Sequence, residues 1–249
     1  MRPSTRVVFL ESPGSWTFEM QDIPAFARDA HRGGATVIMN NTWATPLLFK
    51  PLSHGVDVSI HAATKYMIYH SDALLGVATA NKSAWAALRE GCHDFGQTAG
   101  LDDIFLALRG MRTMDVRMQS HWENGVLLAD SLRQHALMKR RLHPALPSDP
   151  GHAPWKRDYT GSSGLFSMVL KTGERKIIEV IVDRLQLFGI GLSWGCCESL
   201  VLPCEPEIAR SVRPCPHNGR ILRIQAGLEN IDDLITDMRQ ALNHAAKLL

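Results

Sequence analysis

The sequence contains no apolar run long enough to cross a membrane, and its first residues, MRPSTR, lack the apolar core of a secretory signal. A formal net charge of +2 over 249 residues gives no marked excess of either sign, which argues against a nucleic-acid partner. The basic run KRR at 139–141 is typical of a solvated surface. We therefore expect a cytoplasmic protein that binds neither nucleic acid nor a membrane.

Cysteine is scarce and shows no paired spacing. There are five, at positions 92, 196, 197, 204 and 215, and an odd number without such spacing argues against a disulfide framework. Cys204, Cys215 and His217 could supply three zinc ligands, but their spacing matches no usual ligand pattern. Buried free thiols are the simpler interpretation, so the sequence predicts no metal site.

Apolar segments in the first half of the chain predict an α/β fold. Hydrophobic residues make up 45% of the sequence, enough for a sizeable core. Helices are predicted at 23–31 and 83–92. Strands joined by crossovers indicate a mainly parallel sheet. The segments with strand character are residues 7–10, 35–39, 56–60 and 73–79.

The second half predicts a long helical tract followed by a smaller α+β unit. The tract covers 101–135 with an interruption at Gly110, and the proline-rich segment 142–163 is predicted to be a loop. The helical tract carries an apolar stripe typical of core packing, formed by Met114, Met118, Leu127, Leu128 and Leu132. Further on we predict strands at 165–170 and 221–226, an apolar stretch at 187–192, and helices at 174–185 and after an N-cap at Asn230. We divide the chain into residues 1–112 and 113–249.

Lys65 is the residue whose surroundings first indicate chemistry. It follows the apolar strand at 56–60 and stands between small and hydroxylated neighbours in AATKY. A lysine amine that is partly removed from water loses its proton more readily and can form an imine with an aldehyde. Because a lysine after a strand is more commonly a solvated surface residue, the position alone is a weak indication.

Three motifs carry a more specific resemblance: ESPGSWTFE at 11–19, AATKY at 62–66 followed by HSDALLG, and SWGCCESL at 193–200. In this order they resemble the pyridoxal-phosphate enzymes of cysteine and methionine metabolism, and within that family the cystathionine β-lyase branch. The resemblance runs through the whole chain, while the first third of a typical member has no counterpart. It implies an aspartate-aminotransferase-like (fold type I) α/β fold, with part of the large, mostly parallel sheet domain and a smaller C-terminal α+β domain.

The resemblance also implies a role for each matching residue. Lys65 would bind pyridoxal phosphate covalently and then act as the base at the substrate Cα, and Thr64 would bind the cofactor phosphate. Arg223 would bind the substrate carboxylate, and Ser193 and Trp194 would line the substrate site. Without the resemblance, Thr64 would cap a turn, Arg223 would be exposed or ion-paired, and Trp194 would be a core residue.

The sequence departs from the family pattern at three places. Asn40 stands where the family has the aspartate that pairs with the cofactor ring nitrogen, and an amide cannot hold a proton there by charge. Cys196 and Cys197 stand where β-lyases usually have glycine and an aromatic residue. Tyr69 stands where they usually have glycine. We therefore still assign Asn40 to the cofactor site, but expect impaired catalysis.

The expected function is carbon–sulfur β-cleavage of cystathionine to homocysteine, pyruvate and ammonia in methionine biosynthesis. A γ-lyase or γ-synthase of the same family is one alternative, and an inactive fragment or pseudoenzyme is another. A fragment, a miscalled start and a decayed gene copy all fit the missing first third. The resemblance further implies a homo-oligomer, a tetramer in the family, acting on a small amino-acid substrate.

Overall fold

The computed structural model describes residues 1–204, 212, 215 and 220–249. The strands are β1 (Val7–Glu11), β2 (Thr36–Asn40), β3 (Val58–Ala62), β4 (Gly76–Ala80), β5 (Met138–Leu142), β6 (Leu165–Leu170), β7 (Gly189–Ile190), β8 (Leu200–Cys204) and β9 (Ile221–Gln225). The helices are α1 (Ile23–Arg32), α2 (Thr45–Leu48), α3 (Trp85–Asp94), α4 (Leu101–Met111), α5 (Met114–Ser131), α6 (His152–Asp158), α7 (Arg175–Arg184) and α8 (Ile231–Ala246). None of these described helices is both long and apolar enough to span a membrane.

The first sheet has the order β1-β2-β3-β4. β1 pairs with β2 and β2 with β3 in parallel, as the sequence predicted, while β4 returns antiparallel to β3. The three parallel strands end at Glu11, Asn40 and Ala62. Side chains that follow those ends therefore gather at one edge of the sheet, where open α/β sheets bind their ligands.

The second sheet has the order β5-β6-β9-β8-β7 and is antiparallel except for the short β7–β8 pair. Helices α7 and α8 pack on each other, and their buried apolar faces form one core with β6 and β9. α8 begins where the sequence predicted, because the Asn230 Oδ1 accepts from the backbone N–H groups of Asp232 and Asp233.

The two sheets are joined by a common apolar core. Leu10 and Val37 of the first sheet belong to the same buried cluster as Leu165 and Ile221 of the second. The indole N–H of Trp43 donates to the backbone oxygen of Leu165 at 3.0 Å, across the junction. The division of the chain at residues 112 and 113 stays a prediction.

The long helical tract is broken between α4 and α5, not at Gly110 as predicted. Gly110 lies inside α4, where a Cβ atom would stand 1.9 Å from the backbone oxygen of Met67. A glycine here permits close contact between helix and turn and does not stop the helix. The predicted stripe is buried at Met114 and Met118, but Leu127 is 51% exposed and does not belong to it.

The sequence did not predict α6, β5 or β8. The predicted loop at 142–163 contains α6, whose Pro154 stands in the first turn, where backbone N–H groups have no helical acceptor. The basic run at 139–141 lies in β5, an edge strand that tolerates charged side chains. β8 was not predicted, because its Pro203 is unusual within a strand.

Candidate active site around Lys65

Lys65 lies in a π-helical turn, Thr64–Ile68, just after β3. The N–H of Ile68 donates to the oxygen of Ala63, and the N–H of Tyr69 donates to the oxygen of Lys65, each at 2.8 Å. Lys65 itself has non-helical backbone angles, φ −78° and ψ −118°. The turn therefore presents its lysine at a kink beside the ligand-binding edge of the first sheet.

The Lys65 amine contacts the SWGCC segment of the second half of the chain. Its Nζ donates to the Ser193 Oγ at 2.6 Å and lies 5.3 Å from the centre of the Trp194 ring. Gly195 has φ +79°, and a Cβ there would stand 3.0 Å from the Lys65 Cβ. Burial, with a smaller contribution from the positive charge of Arg223, lowers the pKa of Lys65.

Arg223 lies in β9 and is 5% exposed. Its Nη2 donates to the backbone oxygens of Leu192 and Ser193, and its guanidinium lies 5.3 Å from the Trp16 ring centre. Burial lowers its pKa, and no carboxylate among the described residues pairs with it. The fold thus leaves a buried cation next to the Lys65–Ser193 contact, available to an anionic ligand.

Thr64 is engaged within the protein. Its hydroxyl accepts from the N–H of Leu75 at 2.9 Å and donates to the backbone oxygen of Leu75 at 3.4 Å. The N–H of Thr64 also donates to that oxygen, at 3.2 Å. The predicted phosphate contact of Thr64 stays a prediction and would require one of these bonds to be exchanged.

Asn40 lies at the end of β2 beside a cavity of about 850 Å³. Thr42 and His61 also line this cavity, whereas Lys65 and Arg223 do not. In the part of the chain that the structure describes, neither ring nitrogen of His61 has a hydrogen-bond partner, and burial lowers the pKa of this histidine to about 4. The imidazole is therefore neutral at pH 7, and no motif in the sequence pointed to this histidine.

Arg117 of α5 holds the lysine turn in place. Its Nη1 donates to the backbone oxygen of Tyr66 at 2.9 Å, its Nη2 to that of Gly110 at 2.6 Å and its Nε to the hydroxyl of Thr113 at 3.0 Å. The guanidinium lies 4.0 Å from the centre of the Tyr69 ring. This one side chain therefore connects α4, α5 and the lysine turn.

His121, one helical turn beyond Arg117, adds a second buried contact to the turn. Its Nδ1 donates to the backbone oxygen of Ala226 at 2.8 Å, and its ring meets the rings of Tyr66 and Tyr69 edge-on. Burial lowers its pKa to about 4. Neither Arg117 nor His121 was predicted from the sequence; their i,i+4 spacing beside the methionine stripe was the available signal.

The departures at Tyr69, Cys196 and Cys197 cluster behind the lysine turn. Tyr69 is buried with φ +83°, and its ring packs on the Arg117 guanidinium. Burial raises the pKa of the Cys196 thiol. The Tyr69 ring is thus accommodated by packing, whereas Cys196 lies close enough to Lys65 to influence the pKa of its amine.

The zinc alternative gains no support. His217 lies outside the described residues, and Cys204 is a buried thiol in β8 whose pKa burial raises to about 12. Over the ranges that the structure describes, no three His, Cys, Asp or Glu side chains are grouped to hold a metal.

A strand-end lysine with a lowered pKa, placed between a parallel α/β sheet and a second α+β unit, defines the class of fold type I pyridoxal-phosphate enzymes. The model of the Cys/Met metabolism PLP-dependent enzyme family matches residues 1–243. The chain belongs to this family, which confirms the predicted resemblance and fold class.

Individual relatives agree with this assignment. The chain is 43% identical to cystathionine β-lyase MetC of Escherichia coli and 44% identical to cystathionine β-lyase of Salmonella typhimurium, in each case over 96% of this chain and 62% of the relative. A crystal structure of cystathionine γ-synthase from Xanthomonas oryzae is 30% identical, with a TM-score of 0.89 over 98% of this chain and 64% of that chain. The chain thus spans a little under two thirds of these proteins.

Proposed function

We propose that this chain carries the lysine and substrate-carboxylate sites of a pyridoxal-phosphate-dependent carbon–sulfur β-lyase that acts on cystathionine. The observation that carries the proposal is the Lys65–Ser193 contact, beside which lies the buried Arg223, without a carboxylate partner among the described residues. The names of the relatives that are 43–44% identical support the β-lyase assignment. The reaction would yield homocysteine, pyruvate and ammonia.

The residues present fit part of the cofactor. A lysine with a lowered pKa suits the cofactor aldehyde, while the buried arginine suits the carboxylate of the amino-acid substrate. The phosphate end fits less well, because both the hydroxyl and the N–H of Thr64 are bonded to Leu75. We therefore assign Lys65 and Arg223 to binding and regard Thr64 as a phosphate donor only after rearrangement.

Lys65 would move the substrate's Cα proton. Pyridoxal phosphate, when bound, supplies an electron-withdrawing ring that makes this proton acidic. A lysine whose pKa is lowered by burial has a larger neutral fraction, and only the neutral amine can accept a proton. The Ser193 Oγ at 2.6 Å orients the amine.

Arg223 would fix the substrate through its carboxylate. Its guanidinium is held by two backbone oxygens and by the Trp16 ring, so it is positioned before the substrate arrives. A planar guanidinium can donate two parallel hydrogen bonds to a carboxylate. Trp194, 5.3 Å from the amine, would limit water around the reacting carbon.

A γ-type reaction is the second candidate, because the solved structure with a TM-score of 0.89 is a cystathionine γ-synthase. The two reactions release different products from cystathionine. β-Cleavage gives pyruvate and homocysteine, whereas γ-cleavage gives 2-oxobutyrate and cysteine.

The test is to incubate the purified chain with pyridoxal phosphate and cystathionine and to measure both keto acids and both thiols. We expect pyruvate with an equal amount of homocysteine, at a low rate. Predominant 2-oxobutyrate would favour the γ reaction. If neither pyruvate nor 2-oxobutyrate forms although the protein is folded, the result would contradict catalysis by this chain and favour an inactive member of the family.

Borohydride reduction with pyridoxal phosphate followed by peptide mapping tests the lysine assignment separately. We expect the label on Lys65, and a label on Lys50 or Lys82 instead would contradict it.

Arg223→Ala should raise the KM for cystathionine without changing cofactor binding. An equal loss of cofactor binding and thermal stability would assign Arg223 a structural role.

The proposed assembly is a homo-oligomer, following the family resemblance. Sedimentation velocity with and without pyridoxal phosphate tests it, and a monomer at all concentrations would contradict it.

A further inference from the structure

The amide of Asn40 has a defined orientation. Its Oδ1 accepts from the backbone N–H of Thr42 at 3.0 Å and from the Thr42 hydroxyl at 2.5 Å. A backbone N–H can only donate, so the Asn40 atom that it contacts must be the carbonyl oxygen.

The Thr42 hydroxyl fixes the same orientation independently. Its Oγ1 accepts from the backbone N–H of Ala62 at 3.0 Å, which leaves its proton for the Asn40 Oδ1. Hydrogen bonds therefore run in one direction, from Ala62 through Thr42 to Asn40. Both donors engage Oδ1, and no acceptor among the described residues contacts the Asn40 Nδ2.

The free Nδ2 belongs to a residue beside the lysine turn. Asn40 pairs with Ile60 of β3, lines the cavity of about 850 Å³, and is linked through Thr42 to Ala62, three residues before Lys65. In the cofactor site proposed above, a ring attached to Lys65 would meet Asn40, which stands where the family has the partner of the ring nitrogen. The group that meets it is a neutral hydrogen-bond donor.

We propose that the Asn40 Nδ2 donates a hydrogen bond to the ring nitrogen of a pyridine aldehyde held by Lys65, and that the site therefore selects the unprotonated ring. This inference rests on the proposed cofactor site and adds the charge state of the ligand. A protonated ring nitrogen would place its N–H against another N–H, leaving two donors without an acceptor. An aspartate with the same Thr42 contacts would present a charged acceptor and select the protonated ring.

The charge of the ring affects reactivity as well as binding. A neutral pyridine withdraws electrons less strongly than a pyridinium, so the substrate Cα proton becomes less acidic. Catalysis would then be slow because Asn40 presents a hydrogen-bond donor to the ring nitrogen where an aspartate would present an acceptor. Binding of the cofactor through Lys65 would not be prevented.

The experiment reads the ring nitrogen directly. The purified chain is reduced with borohydride in the presence of pyridoxal phosphate labelled with ¹⁵N in the ring, and the ¹⁵N chemical shift is followed from pH 6 to pH 9. We expect the resonance of an unprotonated pyridine throughout. In Asn40→Asp the resonance of a pyridinium should appear at neutral pH.

Asn243→Asp is the matched control, because it adds the same carboxylate at an exposed position of α8. It should leave the ring resonance unchanged. A second measurement compares binding of pyridoxal phosphate with its 1-deaza analogue, which has no ring nitrogen to accept a hydrogen bond. The analogue should bind the wild-type chain about tenfold more weakly.

The outcomes separate this inference from the proposed function. A pyridinium resonance in the wild-type chain at neutral pH would overturn the inference and leave the Lys65 assignment intact. Equal binding of pyridoxal phosphate and its 1-deaza analogue would also overturn it. If no label reaches Lys65, both the cofactor site and the inference fail.

Discussion

The Nζ of Lys65 and the Oγ of Ser193 lie 2.6 Å apart, although 128 residues separate them in the chain. The contact joins the turn after β3 to the segment before β8. The protonation state of the amine therefore depends on residues from both halves of the chain. Two substitutions should change it in opposite directions.

Ser193→Ala should lower the pKa of Lys65 further, because it removes an acceptor that stabilises the ammonium form. Arg223→Gln should raise that pKa, because it removes a neighbouring positive charge. The measurement is the pH dependence of Lys65 labelling by pyridoxal phosphate and borohydride in each variant, compared with the same measurement on the wild-type chain. Shifts of both variants in the same direction would contradict this account.

Gly110→Ala should destabilise the protein strongly, because the new Cβ would lie 1.9 Å from the backbone oxygen of Met67. The helix and the lysine turn would have to separate, at a cost of about 3 kcal/mol. Gly91→Ala in α3 is the control, since its Cβ meets nothing within 4 Å. It should be neutral or stabilise by up to about 1 kcal/mol. Urea unfolding of both variants provides the comparison.

Arg117→Lys should reduce both stability and Lys65 labelling. A lysine keeps the charge but cannot reach the acceptors on Tyr66, Gly110 and Thr113 together, so we expect a loss of about 3 kcal/mol. The exposed Arg133→Lys should change stability by less than about 0.5 kcal/mol. Unchanged labelling in a destabilised Arg117→Lys would show that Arg117 supports the core without positioning the lysine.

Acid should destabilise the protein through its buried histidines. Burial lowers the pKa to about 4 for His61 and His121 and to about 3 for His143, from 6.5 in the unfolded chain. Between these values the unfolded chain binds more protons than the folded one, so stability falls as the pH falls below about 6.5. From pH 7 to pH 5 the loss should be roughly 2 kcal/mol for each histidine.

Urea unfolding at a series of pH values measures this loss. His143→Asn should reduce the pH dependence by about a third, because one of three such groups is removed. The exposed His93→Gln is the matched control. A pH dependence that is the same in wild type and His143→Asn would contradict the assignment.

The sequence was sufficient where one local pattern decided the structure. Alternating and continuous apolar segments predicted β1, β2, β3 and β6, and Asn230 marked the start of α8. The predictions failed where the environment decided instead. The charged side chains of β5 are tolerated because it is an edge strand. Gly110 looks like a helix-terminating glycine in the sequence, but the structure shows that it allows the backbone of Met67 to approach α4 closely.

The site divides in the same way. Lys65, Ser193, Trp194 and Arg223 were selected from motifs, and the fold brings all four together. Arg117 could not be selected, because its role depends on three acceptors that are distributed over two helices and a turn. The orientation of the Asn40 amide depends likewise on the hydrogen-bond donors around it, and these cannot be identified from a sequence motif.

Helix α3 contains no buried residue; its Trp85 is 52% exposed, and Phe95, directly after its last residue, is 82% exposed. A ten-residue helix is marginal in water when no packing supports it. α3 can therefore open and close without disturbing the core shared by the two sheets. In hydrogen–deuterium exchange the amides of α3 should exchange through local opening. They should exchange many times faster than the amides of β2 and β9, which exchange only when the whole protein unfolds.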